Sequence, residues 1–186
     1  MKENQSNRKN TEVKTFSVPI PLRDNKEQNS ISSNSVIKPS KQEILDQALK
    51  YHLKGKTIEA AKSYQYFIDR GFKDYRVLSN YGSILKDLGN LKKAELLLRE
   101  AIKIKPDYAI GHNNMGLVLR NMGKLKEAEL SIKKAIAIKP DFANAYSNLG
   151  SILKDIGNLT EAELSIRKAI ELNPDFVEAH INLGKI

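Results

Sequence analysis

The chain has 186 residues, 40% of them hydrophobic, and a formal net charge of +9, divided into +3 for residues 1–40 and +6 for the rest. That length suits one packed domain plus a tail, and the absence of cysteine excludes disulfides and thiolate metal sites. No stretch offers the roughly 18 consecutive apolar residues of a membrane span, and no apolar segment follows the basic N-terminus, so we expect a cytoplasmic protein without membrane association.

Residues 1–40 are rich in Asn, Ser, Lys and Gln, and Pro19, Pro21 and Pro39 interrupt any helix. Such a composition buries too little apolar surface to offset the entropy of ordering, and we expect a disordered low-complexity tail. Within it, Phe16 to Leu22 is an apolar patch biased to an extended backbone by its prolines, read as ordinary tail in preference to a docking motif or a strand laid along the solenoid. Pro39-Ser40 is a helix-start signal.

From Tyr75 onward the chain repeats every 34 residues. Pro106, Pro140 and Pro174 mark the beat, as do the glycine series Gly82, Gly116, Gly150, Gly184 and Gly89, Gly123, Gly157. The units are 75–108, 109–142 and 143–176, and the first and third share 19 of 34 residues. A period near 34 is the signature of a helix–turn–helix solenoid. The preceding stretch, 41–74, follows the frame loosely, with Ala48 in register with Gly82, Gly55 with Gly89, Ala60 with Ala94, and Phe72 in place of the proline. It reads as a degenerate first repeat with a modified outer side. A partial repeat, 177–186, ends on apolar residues including Val177, Ile181 and Ile186. That apolar edge raises two expectations, self-association through 177–186 or a longer parent protein.

Inside a unit, Leu78, Tyr81, Gly82 and Leu85 recur at i, i+3, i+4 and i+7, one apolar stripe of a helix. Gly89-Asn90 breaks the chain, and a second stripe runs through Leu91, Ala94, Leu98, Ala101 and Ile102. Gly82 and Ala94 are small so that the two helices can approach closely. Glu95 with Arg99, Glu129 with Lys133 and Glu163 with Arg167 predict i,i+4 ion pairs on the second helix. Asp107, Asp141 and Asp175 are placed to cap the next helix.

These residues resemble the tetratricopeptide repeat: Tyr146, Leu149, Gly150, Leu153, Ala162, Ile166, Ala169 and Pro174 fall on the family's eight signature positions. The resemblance covers 41–186 and implies an all-α fold, a right-handed superhelical solenoid of antiparallel helix pairs. It departs at the usual aromatic position of the first helix, occupied here by Leu78, His112, Tyr146 and His180. The phrase Gly150-Ser-Ile-Leu-Lys-Asp155, preceded by Asn148-Leu149, is also similar to repeats that precede the catalytic domain of O-linked N-acetylglucosaminyltransferases.

No nucleophile, phosphate loop or metal-ligand spacing appears, no cofactor is implied, and we expect no enzyme in this chain. His112 and His180 lie two units apart on the packing stripe, and Asp87 and Asp155 read as solvated helix ends. The informative row is Asn80, Asn114, Asn148 and Asn182, since asparagine costs about 0.7 kcal/mol against alanine inside a helix and its recurrence calls for a compensating contact. By the resemblance this position looks into the concave groove and implies an asparagine ladder holding a polypeptide. The same face includes Ser79, Asn113 and Ser147, then Ser83 and Ser151, then Lys86, Arg120 and Lys154. A carboxamide offers donors and an acceptor, so it can hold the backbone of an extended peptide, or equally bond the neighbouring helix.

Arg76, Asn80 and Asn114 match three of five positions of the family's carboxylate clamp, while Asn144 and Asn148 stand where that clamp needs cations. The leading expectation is a protein-interaction scaffold binding an extended polypeptide. The alternative is the substrate-presenting front of a larger, glycosyltransferase-like enzyme. Nucleic acid ranks last, because the groove lacks regularly placed aromatics for base stacking.

Overall fold

A computed structural model of the chain describes residues 38–186. The tail read over residues 1–40, with its Phe16–Leu22 patch, therefore lies outside the described residues up to residue 37. Among the described residues there are nine helices and no strand: α1 Lys41–Leu53, α2 Thr57–Asp69, α3 Tyr75–Asp87, α4 Leu91–Ile104, α5 Ala109–Asn121, α6 Leu125–Ile138, α7 Ala143–Ile156, α8 Leu159–Leu172 and α9 Val177–Leu183.

Ser40 starts α1 with a capping box: its Oγ accepts from the Glu43 N–H at 3.2 Å, while the Glu43 carboxylate accepts from the Ser40 N–H at 2.8 Å. Asp74 caps α3, and Asn90 and Asn158 cap α4 and α8. The expected caps at Asp107, Asp141 and Asp175 are not made. Tyr108, Phe142 and Phe176 hold the N-cap positions of α5, α7 and α9, and none of these helices has a side-chain cap. The aspartates stand one residue too early for their side chains to reach the second or third helical N–H.

Helices α1, α3, α5 and α7 each pack antiparallel on the even helix that follows, and successive pairs stack: α2 on α3, α4 on α5, α6 on α7, and α8 on α9. The close approach within a pair is made at glycine. A Cβ on Gly82 would lie 2.9 Å from Leu98 Cγ, one on Gly116 2.6 Å from Ile132 Cδ1, and one on Gly150 2.9 Å from the Ala162 carbonyl oxygen. Leu98, Ile132 and Ile166 are buried against those glycines, each stabilising the pair by about 1.5–3 kcal/mol. In the first pair the same place is taken by Ala48 opposite Tyr64, both fully buried. The turns inside the pairs use Gly55, Gly89, Gly123 and Gly157 at positive φ, where a side chain would be strained.

The stack is asymmetric. Helix α3 contacts α5, α5 contacts α7 and α7 contacts α9, whereas the even helices make no comparable contacts with one another. Helices α3, α5, α7 and α9 therefore form the inner, concave side, and open grooves run between even helices on the outer side. The predicted ion pairs are all present on that outer side, Glu95–Arg99 at 2.5 Å, Glu129–Lys133 at 2.6 Å and Glu163–Arg167 at 2.7 Å.

Candidate functional site

Asn80, Asn114, Asn148 and Asn182 stand in one row on α3, α5, α7 and α9, each half-buried. Every amide nitrogen is engaged. Asn114 Nδ2 donates to Ser79 Oγ at 3.1 Å, Asn148 Nδ2 to Asn113 Oδ1 at 2.9 Å, and Asn182 Nδ2 to Ser147 Oγ at 3.2 Å and Ser151 Oγ at 3.3 Å. Each of these reaches back across the stack to the odd helix of the preceding pair. None of the four Oδ1 atoms accepts a hydrogen bond among the described residues, so the row presents four carbonyl acceptors.

Ser79, Asn113 and Ser147, expected on the groove face, are instead buried between successive odd helices: Ser79 and Ser147 are 0% exposed and Asn113 is 6% exposed. The physical reason is the helical step of about 100° per residue, which turns the residue before each asparagine toward the neighbouring helix. They anchor the ladder rather than extend it. A sequence signal for this existed in the 35-residue offset that pairs Ser79 with Asn114, Asn113 with Asn148 and Ser147 with Asn182.

The head of the row breaks the pattern. Position 45, in register with Ser79, is Leu45 and has no acceptor. Asn80 Nδ2 donates instead to Tyr64 Oη at 3.2 Å, and Tyr64 Oη lies 3.0 Å from His52 Nδ1. A hydroxyl that accepts from the amide is left to donate to the imidazole nitrogen, so all three groups are satisfied. Burial pushes the Tyr64 hydroxyl above its ordinary pKa, partly countered by the bond from Asn80. His52 is in register with Lys86, Arg120 and Lys154 and heads the basic row, which the sequence reading missed.

That row is less available than its sequence suggests. Lys86 Nζ pairs with Asp87 at 3.0 Å and Arg120 Nε with Asp155 at 2.6 Å, while Lys154 has no ion pair among the described residues. Asp87 and Asp155 are exposed, as read from the sequence, and are the partners of Lys86 and Arg120. Ser83 and Ser151 are half-buried beside the ladder, and between them in register stands Leu117, also half-buried. Arg76 is likewise committed. Its Nε and guanidinium Nη2 meet the two oxygens of Asp74 at 3.1 and 2.8 Å, so a ligand carboxylate would have to compete with Asp74 for the one cation in clamp register.

The packing-stripe histidines close loops: His112 Nε2 lies 2.8 Å from the Pro106 carbonyl oxygen, and His180 Nε2 lies 2.8 Å from that of Pro174. Among the described residues no group of three or more His, Cys, Asp or Glu side chains could hold a metal ion, and no helix is long and apolar enough to cross a membrane.

Comparison with known proteins agrees with this architecture. The tetratricopeptide repeat model matches residues 143–176, and a TPR repeat model matches 82–123 and 116–157, together more than half of the chain. Among solved structures, YrrB, described as a TPR protein with an unusual peptide-binding site, is similar at TM-score 0.67 and 22% identity, over 79% of this chain and 75% of that one. MamA from Desulfovibrio magneticus RS-1 is similar at TM-score 0.65 and 22% identity, over 78% and 82%. The first TPR of Spaghetti (RPAP3), bound to an HSP90 peptide, is similar at TM-score 0.57 and 23% identity, over 60% and 88%. No curated protein sequence matches the chain. These matches leave the expected likeness to glycosyltransferase repeats without support. From its 34-residue period, its stacked helix pairs and the matched models, the chain belongs to the tetratricopeptide repeat family, a right-handed all-α solenoid.

Proposed function

We propose that the concave face of the odd helices holds an extended segment of a partner polypeptide, with α1 and α2 serving as the terminal repeat and the chain acting as an interaction scaffold. The observation that carries this reading is the register of Asn80, Asn114, Asn148 and Asn182, whose amide nitrogens are tied down and whose carbonyl oxygens are left over. Fixed acceptors on a half-buried surface suit the N–H groups of an extended backbone, which carries donors whatever its side chains. The amide anchors keep the oxygens oriented before the partner arrives and so reduce the ordering cost of binding. YrrB with its peptide-binding site and the RPAP3 domain with its bound peptide support the reading at the level of the shared fold.

The two roles of the ladder, packing and binding, separate experimentally. A peptide selected from a random library against the folded chain is titrated by fluorescence anisotropy. The combined variant Asn80→Ala, Asn114→Ala, Asn148→Ala removes the acceptors. At about 0.5–1.5 kcal/mol per hydrogen bond, affinity falls about tenfold or more. The variant Ser79→Ala, Ser147→Ala removes anchors but keeps the oxygens, and should lower stability with a smaller change in affinity. Unchanged affinity in a folded triple variant would rule out the ladder as the binding element.

A further inference from the structure

We propose a second docking surface, on the opposite face from the ladder: the outer groove between α4 and α6, which takes an acidic amphipathic helix of a partner protein. Leucine recurs there every 34 residues in an exposed position, Leu96 at 68%, Leu130 at 69% and Leu164 at 63% exposure. Only Leu130 combines three further features. It borders a cavity of about 440 Å³, mostly apolar, with Ile102 on one wall and Met115 and Leu119 on the floor. Met115 and Leu119 are 5% and 4% exposed, so this surface is recessed and is reached by an inserted side chain.

The second feature is charge. Leu130 has Lys126 four residues before it and Lys134 four residues after it, on the same helical face. Neither lysine, nor Lys103 on the α4 rim, has an ion pair among the described residues, and the one acidic residue lining the cavity is Glu127. By contrast, Leu96 is followed one turn later by Glu100 and Leu164 is preceded by Thr160. The third feature is a rim that no ion pair between two lining residues closes: Arg99 lines the cavity and pairs with Glu95, which also meets Lys124 across the same groove at 3.5 Å, but neither Glu95 nor Lys124 lines it. The corresponding cavity between α2 and α4, lined by Ile68, Phe72, Leu78 and Leu97, is bounded by the Lys73–Glu100 ion pair at 2.9 Å.

A helix laid along this groove has the same pitch as α6, about 5.4 Å per turn. Its complementary pattern is therefore acidic, apolar, acidic at successive four-residue steps, with the apolar side chain seated over Met115 and Leu119. No single helix among the described residues carries that pattern, which argues for a partner of different sequence over a second copy. The recessed floor argues for a protein side chain over a lipid surface.

The probe is a labelled, stapled, alanine-based helix of about 15 residues, with leucines on one face and a glutamate four residues before and after the central leucine. It is titrated onto the full chain by anisotropy. The expected result is saturable binding that weakens about tenfold or more in Leu130→Glu and about fivefold in Lys126→Glu, Lys134→Glu. Binding to the charge-reversed protein should recover when the peptide's glutamates become lysines. The Asn80→Ala, Asn114→Ala, Asn148→Ala protein should bind the helix as the unaltered chain does, so failure of the groove and failure of the ladder are read separately. Absence of saturable binding, or binding indifferent to Leu130→Glu, overturns the proposal. So does the outcome in which phosphatidylserine vesicles or duplex DNA bind through Lys126 and Lys134 while the helix does not.

Discussion

Replacing Gly82, Gly116 and Gly150 one at a time by alanine tests whether the helix pairs are held at the separation those glycines allow. Helix propensity alone favours alanine by about 1 kcal/mol at every site. Against this stands the space for one methyl group. At Gly82 the nearest atom is Leu98 Cγ at 2.9 Å, the least severe of the three side-chain overlaps, and the Ala94 carbonyl is 3.4 Å away. At Gly116 both Cδ1 and Cγ1 of Ile132 stand at 2.6 Å and the Ala128 carbonyl at 3.2 Å. At Gly150 the methyl would overlap Ile166 Cγ1 and lie 2.9 Å from the Ala162 carbonyl, which is backbone and moves only with its helix. Overpacking of this kind costs about 1–3 kcal/mol. Gly82→Ala should therefore come out near neutral, Gly116→Ala mildly destabilising, and Gly150→Ala destabilising by about 1–2 kcal/mol net. Urea unfolding followed by circular dichroism gives the shifts in midpoint, with an unchanged slope checking that cooperativity is kept. In the Gly150→Ala background, Ile166→Ala should cost less than it does alone, because the truncated side chain vacates the space the new methyl needs. Equal stabilisation of all three alanine variants by about 1 kcal/mol would show helix propensity alone at work and refute the close-approach account.

Other consequences are local. Ser40→Ala removes the side-chain half of the α1 capping box, and loss of about 1 kcal/mol should appear as faster amide exchange confined to α1 and its partner α2. Asn113→Leu leaves the Asn148 amide without its acceptor in a half-buried place, which should cost about 1–3 kcal/mol in urea unfolding. Asp74 sets an acid limit. Burial alone would raise its carboxyl, but hydrogen bonds from the Arg76 side chain and from the Arg76 and Val77 backbone hold it below the ordinary value of 3.8. A depressed carboxyl contributes stability that is present above its unfolded-state value and lost as pH falls through the folded one. The melting temperature should thus fall below about pH 3.8 in the unaltered chain, and fall less steeply over that window in Asp74→Asn.

Much of the fold was legible because the determinants repeat. Small residues at Gly82, Gly116 and Gly150 and large ones at Leu98, Ile132 and Ile166 face each other, so period and packing carry the same information. What escaped were contacts between repeats, where a one-residue shift changes the face. Ser79 and Asn80 are neighbours in sequence, yet one is sealed against the next helix and the other presents an acceptor. Asp107 looked like a cap because the residue beyond it, Tyr108, gives no sign in sequence that it takes the N-cap place. The basic row misled for a similar reason. The Arg120 charge is met by Asp155 from the following repeat, a pairing that depends on how far each stacked pair is rotated.

On the proposal above, a partner polypeptide lies along the asparagine row of the odd helices. The most direct test is a nitrogen-15 spectrum of the full chain, with the side-chain amide signals of Asn80, Asn114, Asn148 and Asn182 assigned, during titration with a library-selected peptide. The account predicts that these amide signals and the backbone of α3, α5 and α7 shift together and saturate with one affinity. Shifts confined to α4, α6 and α8, with the four asparagine signals unmoved, would contradict it.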